Sequence, residues 1–256
     1  GNASIVPADV DGGSTDACGI ASLAIDIDTF DCSNVGPNDV TLTVTDVNGN
    51  TSSCVAVITV EDNIPPLMNC PADFTVGTDP GVCGATVSFA NPLPVDNCGI
   101  ASVVQTAGLP SGSVFPVGVS VVEFTATDVN GNTTTCDFTI TVEDDEVPMA
   151  VCMDITIQLD ATGNATIVPA DVDGGSTDNC GVDSLSIDID TFDCSDVGPN
   201  NVVLTVTDAA GNTTSCTAIV TVEDITPPTA VCQDITVTLD ALGVVTIDPS
   251  LLDGGS

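Results

Sequence analysis

Apolar and polar residues alternate along much of the 256-residue chain. Leu42 and Val44, then Val122, Phe124 and Ala126, then Val202, Leu204 and Val206 fall on every second position, the period of a strand buried on one face. Each run ends in a turn phrase: TDVNGNTSSC from Thr45, TDVNGNTTTC from Thr127 and TDAAGNTTSC from Thr207. The alternation resumes at Cys54, Ala56, Ile58 and Val60, and likewise at Cys136, Phe138, Ile140 and Val142. Two alternating runs joined by a Gly-Asn turn predict a β-hairpin. Further strands are predicted where Ile155, Ile157 and Leu159 alternate with Thr156, Gln158 and Asp160, and where Ile187 and Ile189 alternate with Asp188 and Asp190. No stretch has a helical period and turn signals are closely spaced, so the pattern predicts an all-β chain of antiparallel sandwiches.

The pattern repeats. VEDNIPP from Val60 returns as VEDDEVP from Val142 and VEDITPP from Val222, spacings of 82 and 80 residues that indicate about three units. GNASIVPADVDGGSTDACG at Gly1 reappears as GNATIVPADVDGGSTDNCG at Gly163, whereas the middle unit carries GVCGATVSFANPLPVDNCG, so two repeat types alternate. The predicted domains are residues 1–64, lacking a first strand, then 65–147 and 148–226, both complete, and 227–256, the opening strands of a further domain. GVVTIDPSLLDGGS from Gly243 is equivalent to residues 1–14. The expectation is an excerpt of a longer array. The alternative is a subunit whose ends are completed by neighbours, in which residues 1–14 and 243–256 compete for one strand position.

The order Pro-Pro, Cys, an Ile-Thr-Val strand, Asp-Asn-Cys-Gly and then TATDVNGNTTTCDFTITV resembles the hyalin repeat (HYR) domain, most closely over residues 65–147. The other units lack the counterpart of Cys83 and carry Cys32 or Cys194 instead. The resemblance implies tandem immunoglobulin-like sandwiches arranged end to end, in an extracellular or cell-surface protein with an adhesive or structural role, and no catalytic residue.

Charge narrows the picture further. The chain has 37 Asp and Glu and no Lys, Arg or His, a formal net charge of -37. Every approach to a nucleic-acid phosphate is repulsive, and no apolar run is long enough for membrane insertion in this segment. Without His, Lys, Arg or Tyr the chain lacks an ordinary general base near neutrality, a Schiff-base amine and an activator for a Ser nucleophile, so no enzyme is expected. Asp26 with Asp28, and Asp188 with Asp190, have the composition of a glycosidase acid-base pair. A solvated outer strand face opposite Ile25 and Ile27 explains them better, since no aromatic platform for a sugar accompanies them. Asn-x-Ser/Thr occurs at Asn2, Asn50, Asn132, Asn164 and Asn212, but three of these lie in the Gly-Asn turn, where Asn already suits the backbone. Thr-rich faces suggest an ice-binding surface no more strongly than they suggest ordinary outward-facing strand positions.

The acidic linkers remain to be explained. In an immunoglobulin-like domain with parallel first and last strands, three loops gather at the leading end of each repeat: the linker, the Asp-Asn-Cys-Gly loop and the hairpin turn. Glu61, Asp62, Asp96, Asp128 and Asn130 converge at one such end by this reasoning, and Glu143, Asp144, Asp178 and Asp208 at the next, with Glu223 and Asp224 following. Two carboxylates about 5 Å apart repel by about 3 kcal/mol at an effective dielectric near 20, and a hard divalent ion removes that cost. Irregular loops of Asp, Asn and carbonyl oxygens suit calcium better than magnesium. The alternative is that these residues serve only as turn formers.

Twelve cysteines recur in register with the repeat, outside zinc-type pairs, and point to disulfides in an oxidising compartment. Units of about 80 residues with few aromatics need such staples. Loop placement predicts Cys18–Cys54, Cys98–Cys136 and Cys180–Cys216 within domains, and Cys32–Cys70, Cys83–Cys152 and Cys194–Cys232 between them. The alternative pairs Cys70 with Cys83 and Cys152 with Cys194. Together these features predict a segment of an extracellular fibre or adhesin stalk, rigidified by calcium and disulfides. Its partners are neighbouring repeats or subunits of the same fibre, and the alternative is a module whose exposed loops bind a glycan or surface protein.

Overall fold

The computed structural model describes residues 1–255, in two compact units, Gly1–Asp144 and Asp145–Ser256. The first unit begins with β1 (Asn2–Ser4), β2 (Ile20–Ile25), β3 (Thr29–Asp31), β4 (Gly36–Asp46) and β5 (Thr51–Val60). They form a three-stranded sheet of order β2-β4-β5 and a small sheet of β1 with β3. It continues with β6 (Phe74–Gly77), β7 (Gly84–Val87), β8 (Ile100–Ala107), β9 (Ser113–Pro116), β10 (Gly118–Asp128) and β11 (Thr133–Glu143). Here the main sheet has four strands, β6-β11-β10-β8, and β7 pairs with β9. In the second unit β12 (Ile155–Gln158), β13 (Asn164–Thr166), β14 (Val182–Ile187), β15 (Thr191–Asp193), β16 (Gly198–Asp208) and β17 (Thr213–Glu223) repeat that plan, as β12-β17-β16-β14 with β13 on β15. The chain is all-β and immunoglobulin-like.

Alternation places the core. The long hairpins pair Thr45 with Thr51, Thr127 with Thr133 and Thr207 with Thr213, so apolar residues of both arms face one side. Val122, Phe124, Phe138, Ile140 and Val142 are buried against Phe115 and Met68 in one core. Five of the chain's phenylalanines belong to it. Phe89 meets Phe115, Phe124 and Phe138 edge-on at centroid distances of 6.3, 6.3 and 5.3 Å, a favoured arrangement of ring quadrupoles. The core of the second unit is aliphatic around Phe192, with Val202, Leu204, Val206, Ala218, Val220 and Val222 all buried.

Two local expectations are corrected. The strand expected through Ile187 and Ile189 ends at Ile187, and its counterpart ends at Ile25. Asp26 Oδ1 accepts from the backbone N–H of Thr41 at 2.8 Å and Asp188 Oδ1 from that of Val203 at 2.8 Å, so these carboxylates replace a ladder partner instead of lining a strand face. Helical turns, unexpected from the period, occur at Pro7–Val10 and Cys32–Asn34, where proline or an Asp cap starts them.

Disulfides join Cys70 to Cys136 and Cys152 to Cys216, not Cys98 to Cys136 or Cys180 to Cys216. Register explains the correction. β6 runs parallel to β11 with Phe74 opposite Ile140, so four residues upstream Cys70 falls beside Cys136, with Cα atoms 5.7 Å apart. Each bond closes a loop of 64 or 66 residues and stabilises by about 4 kcal/mol in the chain-entropy picture. Cys32 bonds Cys98, not Cys70, and so still links the sheet set of β1–β5 to that of β6–β11. Cys83 and Cys180 are also disulfide-bonded. Cys152 is taken by Cys216 and so is not the partner of Cys83. Cys18, Cys54, Cys194 and Cys232 are exposed thiols, so neither Cys18–Cys54 nor Cys194–Cys232 forms.

Acid titration reports on the Asp caps. The Ser195 hydroxyl and backbone N–H donate to Asp193 and hold its carboxyl below the usual carboxylate range. The folded group is therefore the stronger acid, and its stabilisation is complete above the unfolded-state pKa and lost as pH falls through the folded value. We expect the Tm gap between the wild type and Asp193→Ala to be constant at neutral pH and to shrink between about pH 5 and about pH 2. A gap that widens on acidification would contradict this reading of the cap.

Candidate metal centre

The hairpin phrase Asp-Val-Asn-Gly-Asn folds around its own carboxylate. Asp128 Oδ1 accepts from the N–H groups of Asn130 and Asn132, each at 2.8 Å, and Oδ2 accepts from the Asn132 side chain at 2.8 Å. Gly131 supplies the positive φ of +96° that closes the turn. Asp128 is only 1% exposed. Burial opposes its ionisation, but the hydrogen bonds from Asn132, Asn130 and Gly131 outweigh that and hold its carboxyl below the usual range.

The Asp-Asn-Cys-Gly loop uses its carboxylate differently. Asp96 Oδ1 caps the N–H groups of Cys98 and Gly99 at 2.8 and 3.0 Å. Its Oδ2 is buried with no hydrogen-bond partner. The linker brings in the third carboxylate, Asp62, so that one oxygen each of Asp62, Asp96 and Asp128 lies within 4.8 Å of the others. Asparagine amides surround Asp62. Asn97 donates to Oδ1 at 3.2 Å, Asn130 to Oδ2 at 2.7 Å and Asn132 to the backbone carbonyl at 2.9 Å. Desolvation and the neighbouring Asp128 push the Asp62 carboxyl up, and the Asn130 and Asn97 amides more than offset them, leaving it lowered.

Asp62, Asp96 and Asp128 thus come together with Asn130 beside them, and Glu61, exposed beside Asn63, stays out. In the second unit Asp178 caps Cys180 and Gly181 at 2.7 and 3.0 Å while its Oδ1 is buried without a partner. Asp208, 2% exposed, is held by Asn212, whose side chain also donates to the Glu146 carbonyl at 3.2 Å. Asp144, at the end of the first unit, is 9% exposed and accepts from the Thr78 hydroxyl at 3.3 Å. Glu143, Glu223 and Asp224 are exposed and belong to no acidic group among the described residues. The sequence reading places Asn97, Asn132 and Asn212 in the converging loops but does not count them among the metal ligands. The Asn132 Nδ2 that a glycan would occupy is committed to Asp62 and Asp128, which is why its role is more than that of a turn former.

The HYR domain family matches residues 61–142, the segment that contains this arrangement. Hyalin of Strongylocentrotus purpuratus is 33% identical over 213 residues, 77% of this chain and 17% of that protein. Hyalin of Lytechinus variegatus is 32% identical over 221 residues, 83% of this chain and 42% of that protein. This is an HYR-domain protein. The chain spans less than half the length of either hyalin. A protocadherin gammaB7 EC3-6 cis-dimer structure is 15% identical, with 95% of this chain and 76% of that one covered and a TM-score of 0.39. Likeness at that level brings no ligand or partner with it. The HYR family and the disulfides place the chain outside the cell or at its surface.

The HYR turn makes a direct prediction. Asn132 joins the linker to a buried carboxylate, whereas its counterpart Asn50 donates only to the less buried Asp46. Asn132→Ala should cost about 1–3 kcal/mol and Asn50→Ala clearly less. Denaturant melts of the two variants check this, and equal losses would remove the linker contact from the account.

Proposed function

We propose that the chain is a structural segment of an extracellular adhesive fibre or stalk, divided into HYR repeats at 1–64, 65–147, 148–226 and 227–256, with calcium held at the acidic linkers. Its role is mechanical, not catalytic. The observation that carries the reading is the Asp96 carboxylate oxygen, buried without a partner beside two further carboxylates in a chain that has no cationic side chain to answer them. Such an oxygen is costly to bury, and a hard cation satisfies it. Asp62, Asp96 and Asp128 would hold the ion. Asn97 and Asn130 can offer carbonyl oxygens by turning their amides over, an orientation set by the surrounding hydrogen bonds. An all-oxygen, irregular donor set of this kind fits calcium. The repeat register gives Asp144, Asp178 and Asp208 the same three sequence positions.

Mechanically, the linker is fastened in two ways. Cys32–Cys98 ties the exit turn of one repeat to the leading loop of the next, and the amides of Asn97, Asn130 and Asn132 grip Asp62 a few residues away in the linker. A metal adds a third fastening that depends on ion supply. The partners on this reading are neighbouring repeats or subunits of the same fibre.

Melting curves and small-angle scattering with calcium or with a chelator test the proposal. Saturation at about a hundredfold over Kd stabilises by about 2.7 kcal/mol, so Tm should rise with calcium in the wild type and not in Asp96→Ala. Chelation should broaden the scattering-derived shape distribution while the disulfides stay intact. Identical profiles with and without calcium would overturn the metal part of the reading and leave the amide grip and the disulfide as the only fastenings.

A further inference from the structure

Asn-x-Ser/Thr, the acceptor triplet for N-glycosylation, occurs at Asn2, Asn50, Asn132, Asn164 and Asn212, and the fold does not treat these positions alike. Asn50, Asn132 and Asn212 stand fifth in the turn phrase Asp-x-x-Gly-Asn. The amide of each donates to Oδ2 of the Asp that opens its turn, Asp46, Asp128 and Asp208, at 2.7, 2.8 and 2.9 Å. Asn132 and Asn212 also donate to a linker carbonyl, of Asp62 and Glu146, at 2.9 and 3.2 Å. A primary amide has two N–H bonds. Both are in use there, so a sugar on either nitrogen breaks one of them at a half-buried residue.

Asn164 closes a turn of the same phrase, Asp-Ala-Thr-Gly-Asn from Asp160. Its backbone repeats the pattern, with Asp160 Oδ1 accepting from the N–H groups of Thr162 and Asn164 at 2.8 and 3.1 Å and Gly163 at a φ of +79°. The side chains differ. The Thr162 hydroxyl answers Asp160 at 2.7 Å, and the Asn164 amide leaves the carboxylate alone, donating to the carbonyl and hydroxyl of Thr162 at 3.1 Å each. Asn164, Thr162 and Thr166 are all exposed, so water replaces whichever bond a sugar displaces. Asn164 and Thr166 lie two apart on β13 and share one side of the strand.

This exposure does not come from an absent neighbour. Asn164 is exposed with β12 of its own repeat in place, and its counterpart Asn2 is exposed with Cys32 of its repeat bonded to Cys98. Asn2 pairs with Asp31 as Asn164 pairs with Asp193. The middle repeat type offers no acceptor at that place. Gly84, paired with Pro116 in the equivalent sheet of β7 and β9, occupies it, and a Cβ there would lie 2.6 Å from the Phe115 carbonyl oxygen. The hydroxyl two residues on, that of Thr86, is bonded to Asp79 at 2.7 Å.

We propose that Asn164 is an N-glycan acceptor, the one turn asparagine of its repeat that the fold leaves free for a sugar. The donor is an oligosaccharide linked to a lipid diphosphate. Asn164 Nδ2 bonds to C1 of the first sugar as the bond from C1 to the diphosphate oxygen breaks. The diphosphate leaves with the electron pair, and one Nδ2 proton passes to a base of the transferase. The inference rests on the extracellular placement of the chain and is independent of calcium.

The test is the full chain secreted from a eukaryotic host. Because it has no Lys or Arg for trypsin, digestion before Asp followed by mass spectrometry reads each position. Sugar is expected at Asn164 and not at Asn132 or Asn212. Thr166→Ser should keep it and Thr166→Ala should lose it, and a glycan-releasing amidase should remove it from the native protein without denaturant. An empty Asn164, a sugar retained in Thr166→Ala, release only after denaturation, or occupancy at Asn132 or Asn212 equal to that at Asn164 would each overturn the proposal.

Discussion

The absence of any cationic side chain is the constraint on which this structure rests. Thirty-seven carboxylates have to be answered by backbone N–H groups, hydroxyls and amides, and the repeat is organised around places where that happens. Asp128 and Asp208 close the long hairpins, Asp96 and Asp178 cap the Asp-Asn-Cys-Gly loops, and Asp31 and Asp193 start helical turns through Ser33 and Ser195. Each carboxylate does the work of a local fold determinant. A charge-assisted bond to N–H is stronger than a neutral one, so the acidic composition shapes the loops while keeping the surface negative.

The sandwiches add what the loops do not supply. Short aliphatic side chains fill most of each core, and where aromatic rings are available they collect around Phe89. The parallel edge strand is the shortest of each four-stranded sheet, four residues long in β6 and in β12, and a disulfide stands beside each one. Covalent closure is therefore placed beside the shortest strand of each four-stranded sheet. Cys32–Cys98 uses the same chemistry at a different place, between one set of sheets and the next.

Much of this was legible in the sequence because period-two alternation and the Asp-x-Asn-Gly-Asn turn are local signals. The hairpins and the meeting of Asp62, Asp96 and Asp128 followed from them. Disulfide pairing was not legible, because placing Cys70 beside Cys136 requires the register of a parallel pair 66 residues apart, which no local pattern encodes. Asp26 and Asp188 were misplaced on strands because a side chain that substitutes for a ladder carbonyl looks, in sequence, like an outward-facing residue. Asn132 was read as a turn former for a similar reason: its second role, gripping Asp62, depends on a linker 70 residues away.

The central claim is that the carboxylates of Asp62, Asp96 and Asp128 answer to a cation. A crystal structure of the chain grown in calcium, with anomalous scattering used to identify the ion, tests it most directly. The account predicts a calcium ion with oxygen ligands from these three residues at about 2.3–2.6 Å and the Asp96 oxygen no longer without a partner. Water in that position, with the Asn97 and Asn130 amides still donating to Asp62, would contradict it.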